Sequence, residues 1–222
     1  MDLVTVLIPA YNEADNIEKT IKALQDTVPL PRQIIVVDDG STDATFEIAR
    51  SLKVEVYRFE KNIGKGGALN RILPMIKGSI ILLVDADLGN SAREVSRLLE
   101  PVMRGDTDVA IAKFQNSKIK GFGLVKMLAK IGVYFYSGKT LESVLSGQRA
   151  MTRKVFERIT PFTDGYSIEV ASTIRMVNWG FKVTEIPVTM THRITGRNIK
   201  GFYHRGKQFW HIFKFLVQKG FT

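Results

Sequence analysis

The chain has no cysteine, no acidic residue after Glu185, and no apolar run approaching the length of a bilayer crossing. The first absence excludes disulfides and thiolate metal sites and fits a reducing compartment. The second is uneven for a protein with 22 Asp and Glu in 222 residues: Arg193, Arg197, Lys200, Arg205, Lys207, Lys214 and Lys219 supply seven of the net +10 charges. The basicity is therefore mainly a property of the tail. The third absence argues against a spanning helix, which needs roughly 18 consecutive apolar residues. The opening stretch Met1 to Ile8 lacks a basic leader region and stops at Pro9, so it reads as a first strand and not a signal peptide. No repeat or low-complexity tract is present. The basic tail lacks a recognisable nucleic-acid-binding motif, so no nucleic-acid partner is expected.

What is present is a series of short aliphatic runs. Strand-like segments recur at Leu3 to Ile8, Gln33 to Val37, Val54 to Phe59, Ile80 to Val84 and Asp108 to Ala112, and the first four are each followed by helical spacing. That alternation predicts βαβ units and an α/β fold with a mostly parallel sheet covered by helices on both faces. After the first strand, Ile17, Ile21 and Leu24 form the buried stripe of a helix. After the second, Ser41 or Thr42 is placed to cap a helix carrying Phe46 and Ile48.

The chemistry-bearing residues sit at the strand ends. The run Ile80 to Val84 stops at Asp85-Ala86-Asp87, and in continued strand geometry the two carboxylates would aim at one point, as a pair of hard donors for Mg²⁺ or Mn²⁺ shared with a diphosphate. A polar strand end turning into a loop explains the same pair more cheaply. Asp38 and Asp39 could accept hydrogen bonds from a base or a ribose, or could belong to a turn and helix cap. Gly64, Gly66 and Gly67 would let backbone approach a ligand, with Lys65 beside a helix N-terminus favouring phosphate; a solvated loop is the alternative. The spacing is not that of a Walker sequence.

Four blocks stand in order: Val6-Leu7-Ile8-Pro9-Ala10-Tyr11-Asn12-Glu13, Ile35 to Asp43, Asn62 to Gly66, and Leu83 to Asp87. Together they resemble the signature of family 2 glycosyltransferases with the GT-A fold. The resemblance implies a nucleotide-diphosphate sugar donor contacted by Pro9, Tyr11, Glu13, Asp38, Asp39, Lys65 and Asp85. It also implies a Mn²⁺ or Mg²⁺ ion on Asp85 and Asp87. The second half is similar to the polyprenyl-phosphate (dolichol-phosphate type) sugar transferases of that family. Ser146-Gly147-Gln148-Arg149-Ala150 resembles their Ser-Gly-Phe-Arg-Ala block after an interface helix, here Phe122 to Tyr136. Asp164 to Val170 resembles their glycine-aromatic-Glu segment, Val183 to Val188 their last strand, and Arg193 with Arg197 to Lys200 their basic loop. Two departures stand out. Gly89 occupies the place of a Gln that helps many relatives bind metal, with His192 a candidate replacement, and the resemblance does not extend to the membrane-spanning C-terminal parts of many relatives.

The resulting expectation is a GT-A domain over residues 1–200, with a nucleotide-sugar half at 1–112 and an acceptor half at 113–200, followed by a basic amphipathic helix at 201–222. Asp87, Asp164 and Glu169 are the catalytic candidates, and Arg149, Arg193, Arg197 and Lys200 would meet an acceptor phosphate through their charge. The expected reaction moves a sugar from a UDP-sugar to a membrane-associated acceptor such as a polyprenyl phosphate. Phe202, Phe209, Trp210, Ile212, Phe213, Leu216 and Val217 among the tail cations suit an anionic membrane surface, which implies a cytoplasmic enzyme peripheral on the inner face. Transfer to a soluble hydroxyl, phosphorylated small molecule or glycan, a non-catalytic nucleotide-sugar-binding protein, and a homodimer through the tail stay open.

Overall fold

The computed structural model describes residues 3–30, 32–115, 123–163, 165–190 and 199–219, with side chains left undescribed at 199–205 and 219. Seven strands form one sheet: β1 (Val4–Ala10), β2 (Arg32–Asp38), β3 (Glu55–Arg58), β4 (Ile80–Leu83), β5 (Val109–Phe114), β6 (Arg149–Thr152) and β7 (Val183–Val188). Their spatial order is β3-β2-β1-β4-β6-β5-β7. All neighbours pair in parallel except β6, which runs antiparallel between β4 and β5. The mostly parallel sheet expected from the alternating runs is therefore present; β6 and β7 are not among those runs, and of the two only β7 was implied by the resemblance.

Because side chains alternate across a strand, β1 feeds both faces. Val4, Val6 and Ile8 join α1 (Ile17–Thr27) and α4 (Ser96–Met103) in one core. Leu7 joins α3 (Gly64–Ile72), α6 (Arg153–Ile159) and α7 (Ile168–Asn178) in the other. Ile17, Ile21 and Leu24 are fully buried as their spacing predicts; each such side chain contributes about 1.5–3 kcal/mol. The strand order reverses around β1, with β2 on one side and β4 on the other, and in open α/β sheets ligands bind outside the carboxyl ends at such a switch point. Since β6 is antiparallel, its amino end reaches that same edge.

A third core lies apart from the sheet, where α5 (Gly123–Ser137) and α8 (Ile199–Lys219) pack with α7 around Val125, Ala129, Val133, Ile174, Ile212 and Leu216. Leu216 seats against Gly132, where a Cβ would lie 2.6 Å from its methyl carbons, and the Tyr136 hydroxyl donates to the Leu216 carbonyl. The terminal helix therefore begins at Ile199 and is docked along its inner side. Its outer side leaves Phe209, Trp210, Phe213 and Val217 exposed, and α5 likewise exposes Leu124, Met127, Ile131, Tyr134 and Phe135.

Helix α2 (Thr45–Ser51) has no cap from Ser41 or Thr42, contrary to expectation. Asp43 takes that place by accepting from the Thr45 backbone N–H at 3.0 Å, which frees Ser41 and Thr42 to bind the preceding loop.

Candidate active site

The loops after β1 and β2 are riveted to each other. Asn12 N–H donates to Ser41 Oγ (3.0 Å), Glu13 N–H to Thr45 Oγ1 (2.8 Å), and Ala14 N–H to Asp43 Oδ2 (3.1 Å), while Thr42 N–H donates back to Asn12 Oδ1 (2.8 Å). Pro9, Tyr11 and Glu13 thus stand on a fixed ledge, with Tyr11 exposed.

Asp38 and Asp39 correct the expectation of two carboxylates open to a nucleoside. Asp38 is fully buried; its Oδ1 accepts from Ser41 N–H, and its Oδ2 lies 3.4 Å from Arg58 Nε. It is a framework group. Asp39 is also buried, and its two oxygens accept from the Ile63 and Gly64 N–H groups, both at 2.8 Å. Those donors belong to the start of α3, so Asp39 caps that helix from across the sheet, where a negative charge is favoured. Burial raises the Asp39 pKa, with the two backbone donors offsetting part of the rise.

One glycine of the next loop, Gly66, also differs from expectation, whereas Gly64 has open space around it. A Cβ on Gly66 would collide with the Thr163 carbonyl, so this glycine admits protein backbone, not ligand. Asn70 fastens the same approach, donating to Phe162 O (3.0 Å) and accepting from Phe162 N–H (2.7 Å).

The centre of the site is an ion network at the end of β4. Lys65 Nζ lies 2.8 Å from Asp85 Oδ1 and 3.2 Å from Glu169 Oε1. Burial alone would push the Lys65 ammonium down, but the two carboxylates together hold it well above the ordinary lysine value. Asp85 Oδ2 accepts from Gln148 Nε2 at 2.9 Å. Strand geometry does not persist to Asp87: β4 ends at Leu83, and Asp87 stands in the 3-10 segment Ala86–Val95. The carboxylates are therefore offset by a turn and not aligned by a pleat. Thr20 staples this turn, its hydroxyl donating to Ala86 O and accepting from Gly89 N–H, both at 2.8 Å. Gly89 has φ 54 and ψ −139, a conformation essentially restricted to glycine, so a Gln there would need a different backbone.

Arg149 is another correction. Only 2% exposed, its guanidinium donates to Ser146 O (2.8 Å), Ser172 Oγ (2.9 Å), Val144 O (3.1 Å) and Glu169 O (3.2 Å). Burial pushes it down to about 10, partly offset by Glu169 and Asp85, so it stays charged at neutral pH. It has no face left for an acceptor phosphate; it binds the loop before β6 to the start of α7 and thereby places Glu169. Asp164, His192, Arg193 and Arg197 lie outside the described residues, as does the side chain of Lys200.

A hard divalent cation takes one or two carboxylates completed by substrate phosphates and water. Asp87 with Asp85 fits that donor set. Among the described residues no cluster of three or more His, Cys, Asp or Glu could hold an ion, and His192 lies outside them. Gln148 and Gly147 are members of the site that the motifs did not assign. The available signal was a polar Gln where the resembled block carries Phe.

A reversing sheet with acidic groups and a lysine at its carboxyl edge is an open α/β domain with its site at the switch point, and the GT-A type follows from the structural match. The chain aligns with Mycobacterium tuberculosis glucosyl-3-phosphoglycerate synthase, solved with Mn²⁺, UDP and phosphoglyceric acid, at a TM-score of 0.84 and 22% identity over 98% of this chain and 78% of that one. Residues 5–160 match the glycosyl transferase family 2 model, and the chain belongs to that family. It is 30% identical to the polyprenol monophosphomannose synthase of Mycolicibacterium smegmatis over 86% of this chain and 78% of that protein. It is likewise 30% identical to glycosyltransferase AglJ of Haloferax volcanii, over 88% of this chain and 65% of the relative. A 28% match to the dolichol-phosphate mannosyltransferase of Pyrococcus furiosus covers 89% of this chain and 59% of that protein. The chain thus spans roughly two thirds or less of some relatives' length.

Proposed function

We propose that the chain transfers a sugar from a UDP-sugar, with Mn²⁺ or Mg²⁺, to a lipid phosphate at an anionic membrane surface. The observation that carries the reading is the cluster of Asp85, Asp87, Lys65 and Glu169 at the carboxyl edge of the sheet, beside the riveted loops of β1 and β2. The relatives named for polyprenol and dolichol phosphates support the acceptor class, and the structural neighbour solved with UDP supports the donor.

A divalent ion bound here would supply Lewis-acid neutralisation of the departing diphosphate. Asp87 and Asp85 would hold it, and Lys65 is positioned to add positive charge beside them. The acceptor phosphate oxygen forms the new bond to the anomeric carbon as the bond from that carbon to the diphosphate oxygen breaks, and the nucleoside diphosphate leaves with the electron pair. An anionic phosphate oxygen needs no strong base, which agrees with Glu169 being held in an ion pair with Lys65.

The outward stripes of α5 and α8 support a lipid acceptor. Phe135 and Trp210 are 77% and 61% exposed, with Lys126, Lys207 and Lys214 also exposed on these helices. Aromatics among exposed cations suit an anionic interface, each cation contributing about 1 kcal/mol near such a surface. No helix among the described residues is long and apolar enough to cross a membrane, so the proposed attachment is by surface docking. The second reading, a soluble phosphorylated acceptor, draws on the neighbour solved with phosphoglyceric acid. Incubation with UDP-sugars, Mn²⁺ and either polyprenyl phosphate in vesicles or soluble phosphorylated acids separates the two. Turnover confined to the lipid phosphate is expected; turnover confined to soluble acceptors rejects the lipid reading.

A further inference from the structure

The loop entering β6 contains a side chain that folding alone does not explain. Gln148 is 2% exposed, and its Oε1 is buried with no hydrogen-bond partner among the described residues. Buried polar atoms are ordinarily paired, and an apolar side chain of the same size would fill this space without leaving a bare carbonyl. Such departures from good packing chemistry concentrate at functional sites. The other half of the amide is engaged there: Nε2 donates to Asp85 Oδ2 at 2.9 Å, while Lys65 holds Asp85 Oδ1 at 2.8 Å.

The anchoring of Gln148 is independent of Asp85. The Ala112 N–H donates to the Gln148 carbonyl at 3.0 Å, and Arg149 beside it is fixed by its four bonds. Gly147 shows how closely this loop is pressed to the site, since a Cβ there would lie 2.8 Å from both Asp85 Oδ2 and Lys65 Nζ. The sheet register explains the approach. Leu83 of β4 stands opposite Arg149 of β6, so as one strand runs out toward Asp85, its antiparallel partner arrives through Gly147 and Gln148.

We infer that Gln148 is a positioning residue for Asp85: with Lys65 it takes one carboxylate oxygen each and fixes the rotamer in which Asp85 would face the divalent ion. A neutral amide suits this task, because it orders the carboxylate without cancelling its charge, whereas a second cation would compete with a divalent ion. Gln148 acts through Asp85 and does not touch the reacting atoms. The inference rests on the proposed donor site and adds the group that orders its first carboxylate.

The test is calorimetric UDP binding, with and without Mn²⁺, to the wild type, Gln148→Met, Asp85→Ala and the double variant. Methionine approximates the volume of glutamine and removes the donor. Gln148→Met is expected to weaken Mn²⁺-dependent UDP binding about tenfold, the lower end for an outer-shell partner, and to leave metal-free UDP binding and the melting temperature unchanged. In the Asp85→Ala background the same change should have no further effect, the non-additivity of a residue acting through its neighbour. Unchanged Mn²⁺-dependent affinity in Gln148→Met, or the same tenfold loss without Asp85, overturns the inference. Should Gln148→Met also lower the melting temperature, Gly147→Ala carries the test, because its methyl crowds the same oxygen from a half-exposed loop; full Mn²⁺-dependent affinity there overturns the inference as well. A wild type without metal-dependent UDP binding overturns the donor site and this role together, whereas such binding left intact by the variants removes only this role.

Discussion

Replacing Arg149 with methionine keeps a long buried side chain and removes the charge and all five donors. Two main-chain carbonyls, those of Val144 and Ser146, lose their guanidinium donor, while the Glu169 carbonyl keeps the Thr173 and Ser172 hydroxyls at 2.7 and 3.1 Å. Each buried acceptor left bare costs about 1–3 kcal/mol. Local relaxation recovers part of the sum, so the expected loss is roughly 3–5 kcal/mol, the range for breaking a buried charged network. At about 2–4 °C per kcal/mol for a chain of this size, the melting temperature should fall by roughly 6–20 °C. Arg149→Lys should fall in between, because a single ammonium cannot reproduce the planar fork. Thermal and urea unfolding followed by circular dichroism measure both. A melting temperature for Arg149→Met within about 2 °C of the wild type, a shift too small for any lost buried bond, combined with weakened acceptor phosphate binding, would refute this reasoning and restore Arg149 to the acceptor site.

The other predictions concern groups with different duties. Asp87→Ala should reduce kcat/KM for Mn²⁺-dependent transfer by about a hundredfold or more, the scale for losing a preorganised electrostatic group, with an unaltered circular dichroism spectrum; near-normal turnover would remove Asp87 from the metal site. Asp39 has a folded pKa raised above its ordinary 3.8, so its stability contribution is full below that value and is lost as pH rises through the folded pKa. Asp39→Asn should therefore flatten the fall in stability just above pH 3.8, and an unchanged slope in acid urea titrations would contradict that assignment. Phe135→Glu and Trp210→Glu, at exposed sites, should each cut sedimentation with anionic vesicles several-fold while leaving thermal unfolding unchanged; undiminished vesicle binding by the pair combined would reject the membrane face.

The parallel part of the sheet was legible because burial on both faces demands unbroken aliphatic runs, and Ile34 to Val37 and Ile80 to Leu83 supply them. The α1 stripe was legible for the same reason at helical spacing. The α2 cap was less so, since Ser41, Thr42 and Asp43 are all competent and only the neighbouring loop decides which are otherwise engaged. Asp39 shows the limit more sharply. Its partners are 24 and 25 residues away at Ile63 and Gly64, so a capping role through them has no local signature. In the tail, a helical spacing of apolar residues cannot say which of them face protein: Ile212 and Leu216 turn inward, while Phe209, Trp210 and Phe213 stay outside.

The least legible element is the one that completes the site. With only four residues, Arg149–Thr152, β6 is too short to show periodicity, and it begins with an arginine that reads as surface charge. Its burial becomes intelligible only once the antiparallel register brings Gly147 and Gln148 against Asp85 and leaves Arg149 behind them, enclosed by the start of α7. There the guanidinium counters a region crowded with Asp85 and Glu169, and Lys65 counters it from the open side. Two carboxylates near a diphosphate would repel it, and two cations, one structural and one facing the cleft, reduce that repulsion before any divalent ion arrives. Within the proposed function, the buried arginine therefore contributes to catalysis by setting the charge and the geometry of a site whose ligands it never contacts.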